Sequence, residues 1–214
     1  MMDWNSQSLY LRPMTFKEYI ILFDTLITGL AMAKILNGVS YVLVNKIYIR
    51  TNHILTISAA LMLLMNHWWF SFMTAFDTYI TSVFGFVFHM IYILPLYLLS
   101  TFVFPDREKD QVDEVDTKPN YKALFYCLMG YISVAMIQKY IVNLQQTQTA
   151  SIFQFISEYP FDLAVRLIIL IGAILGVRSQ NERLIRWLLI FLLFSGLMYW
   201  GYFSFVEPEA PSFE

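Results

Sequence analysis

The chain has 214 residues, of which 58% are hydrophobic, 18% aromatic and 14% charged, with a formal net charge of −2. Ordinary soluble domains carry roughly 25% charged residues, so a single soluble core does not explain this composition. No nucleic-acid partner is expected.

Six apolar stretches follow one another, near 19–44, 54–75, 79–104, 121–143, 161–177 and 185–205. Each is close to the roughly 20 residues with which a helix spans about 30 Å of hydrocarbon. The runs are continuously apolar, whereas a membrane barrel shows segments of about 10 residues alternating in polarity. The expected fold class is therefore all-α: a polytopic membrane helical bundle with six transmembrane helices, forming one integral membrane domain over 1–214. Its solvent is the lipid bilayer and its location a cell membrane, crossed several times.

The first stretch starts after Lys17 and contains Ala31-Met32-Ala33, a small-x-small sequence like a signal-peptide cleavage site. Asp24 interrupts the apolar run and the positive charge lies far from the N-terminus, so the stretch is read as a retained helix. Asp24 lies inside the span, and a charge in hydrocarbon is usually kept for a partner, a cavity or a pathway. Lys34 lies two to three turns further along, either as a companion to Asp24 or reaching the near interface. Thr25, Gly29, Ala33 and Asn37 recur every fourth residue, a stripe of small residues that lets helix backbones approach closely.

Lys46 and Arg50 form a short basic link into the second stretch, which starts beside His53 and carries Asn66-His67-Trp68-Trp69. The third stretch holds His89. Counting along oppositely running helices puts His67 and His89 at a similar depth, which would suit two axial ligands to one haem. No Cys-x-x-Cys-His is present for covalent attachment, and the aromatic cluster reads equally as an interfacial belt. The third stretch also opens with Phe76-Asp77-Thr78-Tyr79-Ile80-Thr81, an echo of Phe23-Asp24-Thr25-Leu26-Ile27-Thr28, and the fifth opens with Phe161-Asp162. These echoes fit either descent from repeated hairpins around a shared site or acids placed favourably near helix N-termini.

Between the third and fourth stretches, the loop 105–120 holds Asp106, Glu108, Asp110, Asp113, Glu114 and Asp116 with three bases. It reads as a flexible, solvated cytoplasmic link. Its acids lack the spacing and the glycine turn of a calcium loop, and no metal is assigned. Cys127, the lone cysteine, lies in the fourth stretch, so no intrachain disulfide forms. In the fifth, Asp162 and Arg166 stand at i,i+4 with the acid first, an orientation suited to local pairing. Gly172 and Gly176 make a Gly-xxx-Gly in the same stretch. Asn181, Glu182 and Arg183 open the sixth, where Asn181 suits a helix cap.

Positive charge fixes the expected orientation. Lys46 and Arg50, then Arg107, Lys109, Lys118 and Lys122, then Arg178, Arg183 and Arg186 occupy three alternate links. By the positive-inside rule these links face the cytoplasm and both termini lie on the non-cytoplasmic side. His53, Asn181, Glu182 and Arg183 then share the cytoplasmic boundary.

The order of these features resembles a widespread family of small bacterial inner-membrane proteins. It comprises an acidic first helix with Gly29 and Gly38, a basic link into His53, Trp68-Trp69, Pro95, Phe104-Pro105-Asp106 and Asn181-Glu182-Arg183. The resemblance implies the same multi-pass placement over nearly the whole chain and carries no activity with it. It directs attention to His53, Trp68, Trp69, Asn181, Glu182 and Arg183; Asn66-His67 departs from the more apolar form of that pattern.

No His-Glu-x-x-His, Gly-x-Ser-x-Gly or phosphate-binding loop occurs, so no catalytic residue is assigned. Two functions are open on the sequence. One is a non-enzymatic subunit that assembles with itself or with another membrane protein. The other is a small ion channel or transporter using Asp24 and Lys34, with Asp77, Asp162 and Arg166 as further polar positions.

Overall fold

The computed structural model describes residues 15–74, 83–104, 114–115, 118–147, 152–158 and 160–205. Seven helices are present among them: α1 (Phe16–Val44), α2 (Thr51–Thr74), α3 (Val83–Phe102), α4 (Lys118–Thr147), α5 (Ile152–Glu158), α6 (Pro160–Arg178) and α7 (Glu182–Phe205). The fold is all-helical apart from one two-residue parallel pairing, β1 (Tyr48–Ile49) with β2 (Glu114–Val115). That pairing corrects the reading of the acidic loop as an untethered link: two of its residues are hydrogen-bonded to the α1–α2 connection.

Helix ends are set by polar residues just beyond the apolar runs. The side chain of Thr15 accepts from the Glu18 amide at 3.3 Å while Glu18 accepts from the Thr15 amide at 2.6 Å, the reciprocal capping box that satisfies otherwise orphaned donors. At α7, Asn181 Oδ1 accepts from the amides of Arg183 and Leu184. Hydropathy does not register caps, which is why α1, α2, α4 and α7 each start before the apolar stretch they contain.

Three helices are long and apolar enough to cross a membrane, Glu18–Val44, Tyr121–Ile141 and Pro160–Arg178, and His89–Phe102 is a shorter apolar helix. Their outward faces are apolar too: Leu22, Leu26, Leu30, Leu36, Tyr126, Ile168 and Ile171 all stand exposed. A continuous apolar exterior of this extent suits lipid rather than water.

Three packing seams build the bundle. In α1 the buried residues Asp24, Thr28, Ala31, Ile35, Gly38 and Val42 step by four and three alternately. In α2 the same alternation runs through His53, Thr56, Ala60, Leu63 and His67, and in α3 through His89, Ile93, Leu96, Ser100 and Val103. A repeat of seven keeps one narrow face against a neighbour over many turns. Accordingly α1 packs on α2 and α3, α4 on α3 and α6, and α7 on α2.

The small-residue stripe of α1 is turned the other way. Thr25, Gly29, Ala33 and Asn37 are exposed, and a Cβ built on Gly29 meets no atom within 4 Å. The stripe borders the buried seam without entering it, because a repeat of four drifts around the helix while a repeat averaging 3.5 stays on one face. The glycines that permit close approach are others. The Phe104 ring covers Gly38 and the Phe125 ring covers Gly176, each closer than a Cβ would allow. Gly172 has Leu188 at an ordinary 3.7 Å.

These contacts separate the glycines experimentally. Gly176→Ala, which drives a methyl into Phe125, is expected to destabilise the bundle by about 1–3 kcal/mol. Gly29→Ala, which meets open space and favours helix, is expected to leave stability unchanged or raise it by less than about 1 kcal/mol. Unfolding of the two variants in detergent measures the difference.

Candidate functional site

At the end of the seams nearer the start of α1, three helices bring ionisable groups together. Asp24 on α1 is 3% exposed, His67 on α2 is 0% exposed and His89 on α3 is 3% exposed. Asp24 Oδ1 lies 3.0 Å from His67 Nε2, and Asp24 Oδ2 lies 3.7 Å from His89 Nε2. Each group sits in the repeating seam of its helix, so the packing that closes the bundle also forces the three into contact. The two imidazoles stack with centroids 6.3 Å apart and planes 28° from parallel.

The cluster continues through two tyrosines. His67 Nδ1 is 3.4 Å from the Tyr131 hydroxyl on α4, and the Tyr92 hydroxyl on α3 donates to Tyr131 at 2.6 Å. Because Tyr92 supplies the proton of that bond, Tyr131 retains its own proton to donate to His67 Nδ1. His67 then presents its Nε2 proton to the carboxylate. The result is a directed chain from Tyr92 through Tyr131 and His67 to Asp24, in which each bond polarises the next. The Tyr92 and Tyr131 rings stack at 4.6 Å, holding the hydroxyls in register.

Beyond the tyrosines lies a cavity of about 80 Å³ between α2, α3, α4, α6 and α7. Tyr92 and Tyr131 line one part of it, and Asn66, Arg166 and Ser195 contribute its other polar groups. A space of roughly 10–15 Å³ holds one water, so the cavity has room for several within a lining that is mostly apolar. Asn66 is fixed there by donating to the Gly196 carbonyl at 3.3 Å.

A second ionic cluster stands behind Arg166. Its Nε donates to both carboxylate oxygens of Asp162 at 3.0 Å, and Lys139 Nζ on α4 reaches Asp162 Oδ2 at 2.7 Å. Two cations on one carboxylate tie α4 to α6 beside the cavity. Lys139, on a different helix from Asp162, is a partner that spacing along one helix does not reveal.

The remaining expected positions are not gathered here. Lys34 is exposed on α1 while Asp24 is buried, so of its two readings the companionship with Asp24 does not form; ten residues of helix separate them in both height and facing. Asp77 lies outside the described residues, as does the whole Phe76–Thr81 echo. His53 is 0% exposed, while Asn181, Glu182 and Arg183 are exposed at the start of α7. Asn52, which the sequence did not single out, makes a link here: its Oδ1 accepts from Arg186 Nε at 3.0 Å and joins α2 to α7. His67 and His89 turn Nε2 toward Asp24. Among the described residues, no group of three or more His, Cys, Asp or Glu is arranged to hold a metal ion. Comparison with known proteins finds no matching family, no similar curated protein and no similar solved structure.

The ionic cluster makes a clear energetic prediction. Asp162→Ala leaves Arg166 and Lys139 without their counter-charge and is expected to destabilise the bundle by about 3 kcal/mol. Asp162→Ala combined with Arg166→Leu is expected to recover part of that loss, because the stranded charge is removed with its partner. Equal destabilisation of the single and double variants in detergent unfolding would contradict the assignment.

Proposed function

We propose that this protein is a small multi-pass membrane transporter that moves protons through the Asp24 cluster. In this reading all six apolar stretches cross the membrane, with α1, α2, α3, α4, α6 and α7 as the spans and both termini on the non-cytoplasmic side. The observation that carries the proposal is the burial of Asp24, His67 and His89 in mutual contact, joined by Tyr131 and Tyr92 to a water-sized cavity.

The physical reason is charge. An isolated carboxylate in hydrocarbon is costly, and the cluster is cheapest at zero net charge. Zero charge requires one proton beyond two neutral imidazoles and an ionised Asp24. That proton has three adjacent places to sit, on His67, His89 or Asp24, which lie within 3.0–3.7 Å of one another through the Asp24 carboxylate.

The hydrogen-bond chain gives the proton a route inward from the cavity. A proton bound by the Tyr92 oxygen displaces Tyr92's own proton to Tyr131. Tyr131 passes its proton to His67 Nδ1, and His67 releases the Nε2 proton to Asp24 Oδ1. Each oxygen and nitrogen ends with its normal valence; His67 has exchanged tautomers and Asp24 is neutral. Below the cluster the seams become apolar at Ala31, Ile35, Ala60, Leu64 and Leu96, all buried. This layer favours a transporter, which passes its cargo when helices shift, over an open pore.

A second reading, a non-enzymatic subunit of a larger membrane assembly, is favoured by the outward stripe of Thr25, Gly29 and Ala33, which suits close contact with another helix. One experiment separates the two. In proteoliposomes with an internal pH-sensitive dye, the transporter reading predicts proton flux that falls about 10-fold or more in Asp24→Asn and is unchanged in Lys34→Ala. Absence of flux, together with stable co-purification of a partner or a second copy, would overturn it in favour of the subunit.

A further inference from the structure

The Asp24 cluster lies toward one end of the bundle, and a proton passing through needs a group at the other. His53 occupies that place. It belongs to the same buried seam of α2 as His67, about four turns or 21 Å away along the helix. It is completely buried, and neither ring nitrogen has a hydrogen-bond partner among the described residues. A buried imidazole with both nitrogens unsatisfied is costly, and such a group calls for an explanation beyond packing.

Its surroundings give the reason. The Phe104 ring stands edge-on against the imidazole with centroids 5.2 Å apart, and the same ring lies over Gly38 of α1. Phe104 therefore closes the space between α1, α2 and the end of α3, with His53 behind it. Only a glycine at position 38 lets the ring lie there. Beside His53, Asn52 is fixed by Arg186 of α7, the neighbouring cation at this end. On the path from the Asp24 cluster, Thr28 Oγ1 is also buried without a hydrogen-bond partner, and it lies one turn beyond Asp24 on the same seam. Thr56 and Ser100 are buried hydroxyls near the level of His53, each donating back to its own helix with lone pairs left to accept. The polar side chains of the α1–α2–α3 seams thus fall into an outer group and an inner group, separated by the apolar layer.

We propose that His53 is the inner proton-exchange station of the pathway, with Phe104 as its gate. This rests on the transporter reading. A proton released from Asp24 moves along water admitted past Thr28 when the apolar layer loosens, and it binds one ring nitrogen of His53. The other nitrogen then gives up its proton on the cytoplasmic side once Phe104 swings away. One N–H bond forms and one breaks, so the imidazole returns neutral and no co-reactant is needed.

The test uses the full-length protein in the same dye-loaded proteoliposomes. His53→Ala is expected to lower proton flux about 10-fold or more, and added imidazole, which carries protons and fits the vacated space, is expected to restore it. His53→Gln, which keeps polarity and much of the volume but cannot take a proton, is expected to be equally slow. Phe104→Ala is expected to raise flux where His53 is intact. If His53→Gln conducts normally while Asp24→Asn does not, the inner station is overturned and the transporter reading stands. Loss of flux in His53→Ala that imidazole does not restore, with normal flux in His53→Gln, makes His53 a packing residue and also overturns it. Unchanged flux in Asp24→Asn overturns the transporter reading itself.

Discussion

Burial of the Asp24 carboxylate is the constraint on which the rest of the bundle depends. A carboxylate on the inner face of an apolar helix is tolerable only if polar groups meet it from the helices opposite, and here His67 of α2 is hydrogen-bonded to it while His89 of α3 stands beside it without a hydrogen bond. His67 meets one oxygen at 3.0 Å and His89 stands 3.7 Å from the other. That requirement fixes the height at which three helices align, since sliding any one of them by a turn would strand the charge. The apolar seams supply attraction, but seven-residue repeats alone allow alternative registers; a buried polar contact selects among them, as single polar residues do in coiled coils.

The same contact explains why polar side chains recur along the seams instead of being confined to one spot. Tyr131 satisfies the far nitrogen of His67, and Tyr92 satisfies Tyr131, so the cost of the buried acid propagates to α4. There the cavity and the Arg166–Asp162–Lys139 cluster begin. The two ionic groups are built differently. Asp162 is held by two cations and has little freedom to accept a proton, which suits a strut between α4 and α6. Asp24 is held by groups that themselves carry exchangeable protons, which suits a carrier. Fixed charge and mobile charge thus occupy neighbouring parts of one bundle with different chemistry.

Much of the helical outline was legible in the sequence because hydropathy reports long apolar runs directly. The six runs are occupied by α1, α2, α3, α4, α6 and α7, while the seven-residue α5 is too short and too polar at Gln154, Ser157 and Glu158 to register. The site was legible only in pieces. Asp24 stood out because a charge in an apolar run is anomalous, and His67 and His89 because their depths match. That they meet at Asp24 was not readable, since it depends on which faces the helices turn to one another. The signal was present in the alternating four and three spacing of Asp24, Thr28, Ala31, Ile35, Gly38 and Val42. The every-fourth-residue stripe of Thr25, Gly29 and Ala33 drew attention instead because small residues are conspicuous. Lys139 and Asn52 were invisible for a related reason: their partners lie on other helices, and contacts of that kind leave no trace in local spacing.

The shared proton of the cluster is the central claim, and nitrogen-15 solid-state NMR of histidine-labelled protein in lipid bilayers tests it most directly. With Asp24 in place, the account predicts that His67 and His89 report an imidazole pair coupled to a carboxylate, with a strongly hydrogen-bonded Nε2 proton on His67. Asp24→Asn is predicted to shift both sets of resonances while leaving His53 unchanged. Histidine spectra indifferent to Asp24→Asn in the folded protein would contradict the account.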